Sequence, residues 1–359
     1  MELQNFINEN EDYLRVFKEH KLYVRKYSQL DLALVKCYKN NKYEYDLHPW
    51  LKYCRGAIIN TKTNRLVCIP PMKSLEREYE IENVINGYNG EDEYQPLIEG
   101  TMINMFYHND EWMISTRSNI GAKNSWEKKE PFCKLFLEVN GSEWFNELNK
   151  NYCYSFVLCH KKNRIVSLIE DNMIFLIENY ELGELPIRKE LKEITNINLI
   201  FNFPEEYLIN YNNYLPFSIK GLTIKNKNKR VNWINPEYTY VEGLKMNYND
   251  PYLNYIALRQ KRLLKEYLKF FPEDYHIYNQ YRMDFNIIKQ LLYESYVSKF
   301  IRKEIEISDI KYPLRPLVFE LHKFYKESGE SINIKIVSDY LHNLPGKKML
   351  FINNYLFKK

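Results

Sequence analysis

The chain has 359 residues, with 51 lysines and arginines against 47 aspartates and glutamates, a net charge of +4. At roughly 150 residues per domain this length predicts about two domains. A composition of 45% hydrophobic and 27% charged residues supports a packed core and excludes global disorder. No run approaches the roughly 18 uninterrupted apolar residues of a membrane-spanning helix. The start, Met1-Glu2-Leu3-Gln4-Asn5-Phe6, lacks the basic-then-apolar order of a signal peptide, so the protein is expected inside a cell, in the cytoplasm.

The segment from Met1 to about Arg25 reads as one helix, because Leu3, Phe6, Ile7, Tyr13, Leu14 and Phe17 keep helical spacing. From about Leu22 to Asn247 the pattern turns to short β-rich runs at residues 56–60, 65–69, 102–107, 112–116, 154–159, 164–168 and 173–177. Asn109-Asp110 between two of them reads as a hairpin turn, and a helical insert is expected near Glu127–Leu148. After about Pro251 the strands stop. Tyr255–Phe271, Asp284–Glu304, Leu317–Glu327 and Ile334–Leu341 read as amphipathic helices punctuated by Pro313, Pro316 and Pro345. The fold class is therefore α+β over residues 1–250, followed by an all-helical domain over 251–359.

Zinc, disulfide and simple hydrolase chemistries find no support. The six cysteines, Cys37, Cys54, Cys68, Cys133, Cys153 and Cys159, form no Cys-x-x-Cys pair and have no histidine at zinc spacing, so they read as reduced thiols. No metal site and no disulfide partner are expected. Walker, dinucleotide, His-Glu-x-x-His and Gly-x-Ser-x-Gly motifs are all missing. The 32 tyrosines sit beside heavy use of Asn, Ile and Lys, which fits the codon bias of an AT-rich genome.

Four blocks stand out instead, each placing cations at a strand end or turn between apolar residues, where a phosphate-handling cleft collects them. They are Cys54-Arg55-Gly56-Ala57-Ile58-Ile59-Asn60; Pro70-Pro71-Met72-Lys73-Ser74-Leu75; Ile98-Glu99-Gly100-Thr101 running into Ser115-Thr116-Arg117-Ser118; and Phe156-Val157-Leu158-Cys159-His160 through Asn163-Arg164-Ile165-Val166. In order and spacing they resemble the phage-type RNA ligase family of covalent nucleotidyltransferases, in a divergent form similar to proteins of large DNA viruses. The resemblance runs from about Leu34 to Arg259. It implies a nucleotidyltransferase (ATP-grasp-like ligase) domain with a helical C-terminal domain, ATP and Mg²⁺ as cofactors, and nucleotide or RNA as partner. In that family a lysine attacks the α-phosphate of ATP, and the AMP then passes to an RNA 5′-phosphate.

Carried onto this sequence, Arg55 falls on the family's Arg-Gly strand, and Lys73 on the lysine of a Pro-Met-x-Lys block with Leu75 at an aromatic position. Glu99 and Gly100 fall on the Asp-Gly of the nucleotidyl-lysine motif, whose nucleophile position is Leu97, and leucine forms no phosphoramidate. Phe156-Val157 replaces a Phe-Glu, Arg164 is kept, and the Glu-Gly block falls on either Lys220-Gly221 or Glu242-Gly243. The first is preferred, because Leu244-Lys245-Met246-Asn247 then reads as the Lys-x-Lys strand. The implied phosphate-binding set is thus Arg55, Lys73, Glu99, Gly100, Arg117, Arg164 and Lys245. Lys225, Lys227, Lys229, Arg230 and Trp233 form either a solvated hairpin turn or an RNA contact with the indole stacked on a base. Lys261, Arg262, Lys265 and Lys269 read as a solvated helix face. Three functions follow: an RNA-ligase-like protein that binds nucleotide or RNA without the lysyl-AMP step; an active ligase using a displaced lysine, with Lys73 the candidate; or a viral structural or interaction protein that keeps only the fold.

Overall fold

The computed structural model describes residues 1–38, 41–76, 93–126, 130–203, 215–226, 229–246, 248 and 250–357. The chain divides into two compact units, Met1–Tyr240 and Val241–Lys359. The division falls inside a helix, Pro236–Leu244, in a stretch whose pattern had read as strand.

The first unit is built on three sheets. The antiparallel order β1(Tyr23–Tyr27)–β2(Leu32–Lys36)–β3(Arg55–Asn60)–β4(Arg65–Cys68) makes the first. The second runs β11(Ile187–Lys189)–β10(Met173–Glu181)–β9(Tyr152–Cys159)–β7(Thr101–His108)–β8(Glu111–Ser115), with β12(Asn198–Leu199) parallel to β10. The third is β5(Leu75–Glu76)–β14(Arg230–Ile234)–β13(Gly221–Lys225)–β6(Glu93–Pro96). The β7–β8 turn has Asn109 and Asp110 both at positive φ, 48° and 63°, the geometry a two-residue hairpin requires, and asparagine and aspartate tolerate it.

Alternation decides which sheet face is buried where. On β7 and β9 the cross-strand pairs Phe106↔Cys153, Asn104↔Ser155 and Met102↔Val157 share one face. Phe106 and Cys153 join Leu34, Ile58, Cys68 and Ile69 of the first sheet and Leu3 and Phe17 of the N-terminal helices in one core. The other face of the sheet, through Ile103, Met105, Phe156 and Leu158, packs on Leu135 and Phe136 of helix Phe132–Asn140.

Several expected elements change. The N-terminal helix is two, Glu2–Glu9 and Tyr13–Glu19, because Asn10 takes an extended backbone between them, and its expected end is strand β1. The insert is helical over Phe132–Asn140 and Glu143–Glu147, while residues 127–129 lie outside the described residues. The expected strand at 164–168 is a loop, for a reason given below. In the second unit, Tyr255–Phe271 splits into Pro251–Gln260 and Leu264–Phe270 at Arg262, whose φ is 61°. The long helix starts earlier than expected, at Tyr275, and runs to Tyr296. Helices Arg315–Ser328, Ile334–Asn343 and Gly346–Phe357 complete the unit. No helix among the described residues is long and apolar enough to cross a membrane.

Candidate functional site

The site starts at a glycine. Gly56, second in β3, has φ +105°, and a Cβ built there would lie 2.7 Å from the Cα of Arg117. Only a residue without a side chain lets the turn after β8 press onto β3. That contact sets Arg117 beside Arg55, the first residue of β3. Lys36, the cross-strand partner of Arg55, donates to Ser118 Oγ at 2.7 Å and ties β2 to the same turn.

Arg230 joins from the third sheet. Burial, and then the neighbouring charges of Arg117 and Arg230, pull the Arg55 guanidinium below its ordinary pKa. Burial and Arg230 do the same to Arg117, and burial and Arg117 to Lys36. A guanidinium does not give up its proton at neutral pH, so the strain registers as unbalanced positive potential. Arg117 is exposed to solvent in the turn after β8. Among the described residues, no carboxylate, hydrogen-bond acceptor or ion-pair partner engages the side chain of either Arg55 or Arg117. Crowded cations are normally paired, so this arrangement is complementary to an anion.

Arg230 also belongs to a cluster of three cations and two carboxylates. Lys225 is cross-strand from both Arg230 and Glu93. Its Nζ is 3.6 Å from Glu178 and 3.7 Å from Glu93, and its side chain is 4% exposed. Arg230 Nη1 is 3.3 Å from Glu178, Arg188 grips Glu93 at 2.5 Å, and the Tyr180 hydroxyl donates to Glu178 at 2.8 Å. Burial alone would raise the Glu178 carboxyl, but Lys225, Arg230 and Arg188 outweigh it and hold it low. Burial is the largest influence on Lys225 and pushes its ammonium down to about 8, against the pull of Glu178. Both carboxylates are thus committed to Lys225, Arg188 and Arg230, and among the described residues no carboxylate is left for Arg55 and Arg117.

Along the sheet face that carries Glu178, the next row is apolar. Val157, Cys159 and Ile177 are buried, with half-buried Ile98, Met102, Met173 and Phe175 around them. The site therefore offers guanidinium groups beside an apolar floor. Among the described residues, no group of three or more His, Cys, Asp or Glu converges as metal ligands. The donor set suits phosphate oxygens better than a cation held by the protein alone.

Glu99 has another task. Its carboxylate accepts the backbone N–H groups of Ile165, Val166 and Ser167 at 2.9–3.3 Å and the Ser167 hydroxyl at 2.9 Å. This is why residues 164–168 form a loop: their amide protons are taken by a side chain and are not available to a neighbouring strand. Gly100, beside Glu99, lets the start of β7 lie against β9, since a Cβ there would lie 2.4 Å from the Leu158 carbonyl oxygen. The Arg164 guanidinium turns back to the Val166 carbonyl at 2.9 Å, inside the same loop.

No protein-family model matches the chain. A protein of Autographa californica nuclear polyhedrosis virus, described as a bifunctional polynucleotide kinase/RNA ligase, is 27% identical over 172 residues, covering 42% of this chain and 24% of that protein. The chain resembles the RNA-ligase-like nucleotidyltransferases, with a viral relative among them. It spans about a quarter of that relative's length. Among solved structures, an archaeal ATP-dependent RNA ligase aligns with TM-score 0.44 and 9% identity over 78% of this chain and 73% of its own. A chain from Aquifex aeolicus described as an ATP-dependent DNA ligase gives 0.42 and 12% over 81% and 77%. A Naegleria gruberi RNA ligase variant gives 0.32 and 11% over 49% and 60%.

The site residues expected from the resemblance separate into groups. Arg55 and Arg117 come together, and Lys73 lies close enough, with Arg55, to act on the Cys37 thiol. Glu99 and Arg164 shape the neighbouring loop, and Gly100 lets β7 lie against β9. Lys245 belongs to the second unit: where a strand was expected, Leu244–Met246 are the end of helix Pro236–Leu244 and a turn, with Lys245 Nζ 4.8 Å from the Phe271 ring centroid. Asn247 lies outside the described residues. The strands that pair with Gly221–Lys225 are β14, which carries Asn232 and Trp233, and β6, and neither has a Lys-x-Lys. Of the expected RNA contact, Lys225 and Arg230 face the charge cluster, Lys229 is exposed at the hairpin tip, and Lys227 lies outside the described residues. Trp233 packs against Tyr94, Leu222 and Ile224. Sequence reasoning missed Lys36, Glu93, Glu178 and Arg188. Glu178 left one signal, a lone carboxylate inside the apolar run Met173–Ile177 and its continuation.

Proposed function

We propose that this is an RNA-ligase-like protein with the nucleotidyltransferase fold that binds a phosphate-bearing nucleotide or RNA end and does not form the lysyl-AMP adduct. The observation that carries the reading is the pair Arg55 and Arg117, held side by side by Gly56 with no carboxylate on either among the described residues. Were ATP to bind, Arg55 and Arg117 would hold its phosphates, Arg230 and Lys36 would add to the potential, and the base would rest on the apolar floor around Met102 and Val157. Leu97, at the position that the resemblance assigns to the nucleophile, is fixed by its backbone N–H to the Gly221 carbonyl at 2.9 Å and has no nucleophilic atom. The resemblance and the viral relative support RNA as the polymer and action inside an infected cell.

The test is incubation of the full chain with α-labelled ATP and Mg²⁺ or Mn²⁺, followed by denaturation, alongside equilibrium binding of ATP and of a 5′-phosphorylated oligonucleotide. Binding without covalent label, lost in Arg55→Ala and Arg117→Ala, is the expected result. One observation favours a second reading. Lys225, buried between Glu178 and Glu93, has an ammonium easier to deprotonate than an ordinary lysine's, as a nucleophilic lysine needs. Covalent label that disappears in Lys225→Arg or in Lys73→Ala would replace the binding reading with an active transferase.

A further inference from the structure

The helical unit carries a surface that the Arg55–Arg117 site does not use. Phe351 and Tyr355 lie one turn apart on helix Gly346–Phe357, away from its buried residues Met349, Ile352 and Asn353. The turn Tyr312–Leu314 packs beside this helix and brings the Tyr312 ring centroid to 6.4 Å from that of Tyr355, whose own centroid is 6.5 Å from that of Phe351. The three rings are 61%, 53% and 52% exposed in the order Tyr312, Tyr355, Phe351. Single exposed aromatics need no explanation, but three adjoining rings each more than half in water form a continuous surface.

Cations outnumber carboxylates around them. Residues 310–319 and 346–357 contain Lys311, Arg315, Lys347 and Lys348 and no aspartate or glutamate. Lys311 and Lys347 are exposed, and no carboxylate engages either among the described residues. Arg315 donates to the carbonyls of Ser308 and Ile310 and lies 5.9 Å from the Tyr312 ring centroid, so its charge stays beside the rings. Lys348 is paired with Glu320 at 3.1 Å, and Asp309, just before this stretch, accepts the backbone N–H of Glu306. Protein interfaces are enriched in aromatics but depleted in lysine. Exposed rings interleaved with uncompensated cations instead match bases and phosphates together.

We propose that this face of the helical unit binds single-stranded nucleic acid, stacking bases on Tyr312, Phe351 and Tyr355 while Lys311 and Lys347 meet the backbone. It is a separate contact from the Arg55–Arg117 site and does not depend on what that site holds. The experiment uses the full chain and a short fluorescein-labelled oligouridylate, read by fluorescence anisotropy across a salt series. Tyr312→Ser/Phe351→Ser/Tyr355→Ser is expected to weaken binding by about tenfold or more. Lys347→Gln should reduce the slope of log affinity against log salt by about 0.7. ATP binding is expected to be unchanged in both. Since the triple variant risks misfolding, Lys311→Glu/Lys347→Glu serves beside it, and this charge reversal must weaken the oligonucleotide and spare ATP. Wild-type affinity in a folded triple variant, or in the charge-reversal variant, overturns the proposal. So does a wild-type chain that ignores the oligonucleotide and sediments as a dimer that the triple variant dissociates, which would make the face a protein interface. Loss of ATP binding with retained oligonucleotide binding would count against the Arg55–Arg117 reading alone.

Discussion

Replacing Gly56 with alanine tests whether the close approach of two backbones builds the anion site. The new Cβ would stand 2.7 Å from Arg117 Cα and 3.0 Å from its carbonyl oxygen, about 0.7 Å inside ordinary contact with the first. Both are main-chain atoms, so no side chain can swing aside. The residue must also hold φ +105°, a conformation that costs an L-residue about 1–3 kcal/mol, and relief of the overlap by backbone movement adds about 1–3 kcal/mol. The expected loss of stability is therefore about 2–6 kcal/mol, read as a lower urea midpoint at unchanged m-value. The same displacement moves Arg117 from Arg55, so calorimetric ATP affinity should fall by about ten- to a hundredfold, the worth of one charge-assisted contact. Arg117→Gln provides the contrast. It should lose comparable affinity while keeping or slightly raising stability, because it removes a cation that faces only other cations. A Gly56→Ala protein with both the wild-type midpoint and the wild-type affinity would refute the argument.

Three further outcomes are expected. Lys225 titrates near 8 in the folded chain against an ordinary 10.5, so between those values the unfolded chain holds more protons and stability rises with pH. Lys225→Met should abolish that rise, worth up to about 3 kcal/mol, in urea midpoints compared at pH 7.5 and 10; an unchanged pH slope would show that Lys225 is not held as described. Glu99→Gln removes the charge that gathers three backbone N–H groups, so a loss of about 1.5–3 kcal/mol is expected, with faster amide exchange at Ile165–Ser167. Retained protection there would contradict the clamp. Asn235→Ala frees the carbonyls of Leu215, Pro216 and Ile219 and the N–H of Glu237 from one side chain, and should cost about 1–3 kcal/mol in thermal or urea unfolding.

Period-2 and period-3.6 patterning within the sequence determined most strands of the first unit, the Asn109-Asp110 turn and the helical character of the last third. Local forces write those patterns directly into neighbouring residues. The resemblance drew attention to Arg55, Arg117, Glu99 and Leu97, again through short blocks. What each does was decided by residues far away in sequence. Arg117 reaches Arg55 because Gly56 leaves room for it. Glu178 is silent because Lys225, Arg188 and Arg230 surround it, and Glu99 serves a loop sixty-six residues on. The stretch 164–168 has the apolar pattern of a strand, yet its amide protons go to a carboxylate, a partner that no local pattern records. Leu244–Met246 likewise read as a strand and are a helix end and a turn, and β13 has β14 and β6 on its two edges. Charge identity is local, whereas charge compensation depends on which strands lie side by side, and only the tertiary structure shows that two of these cations have no counter-charge among the described residues.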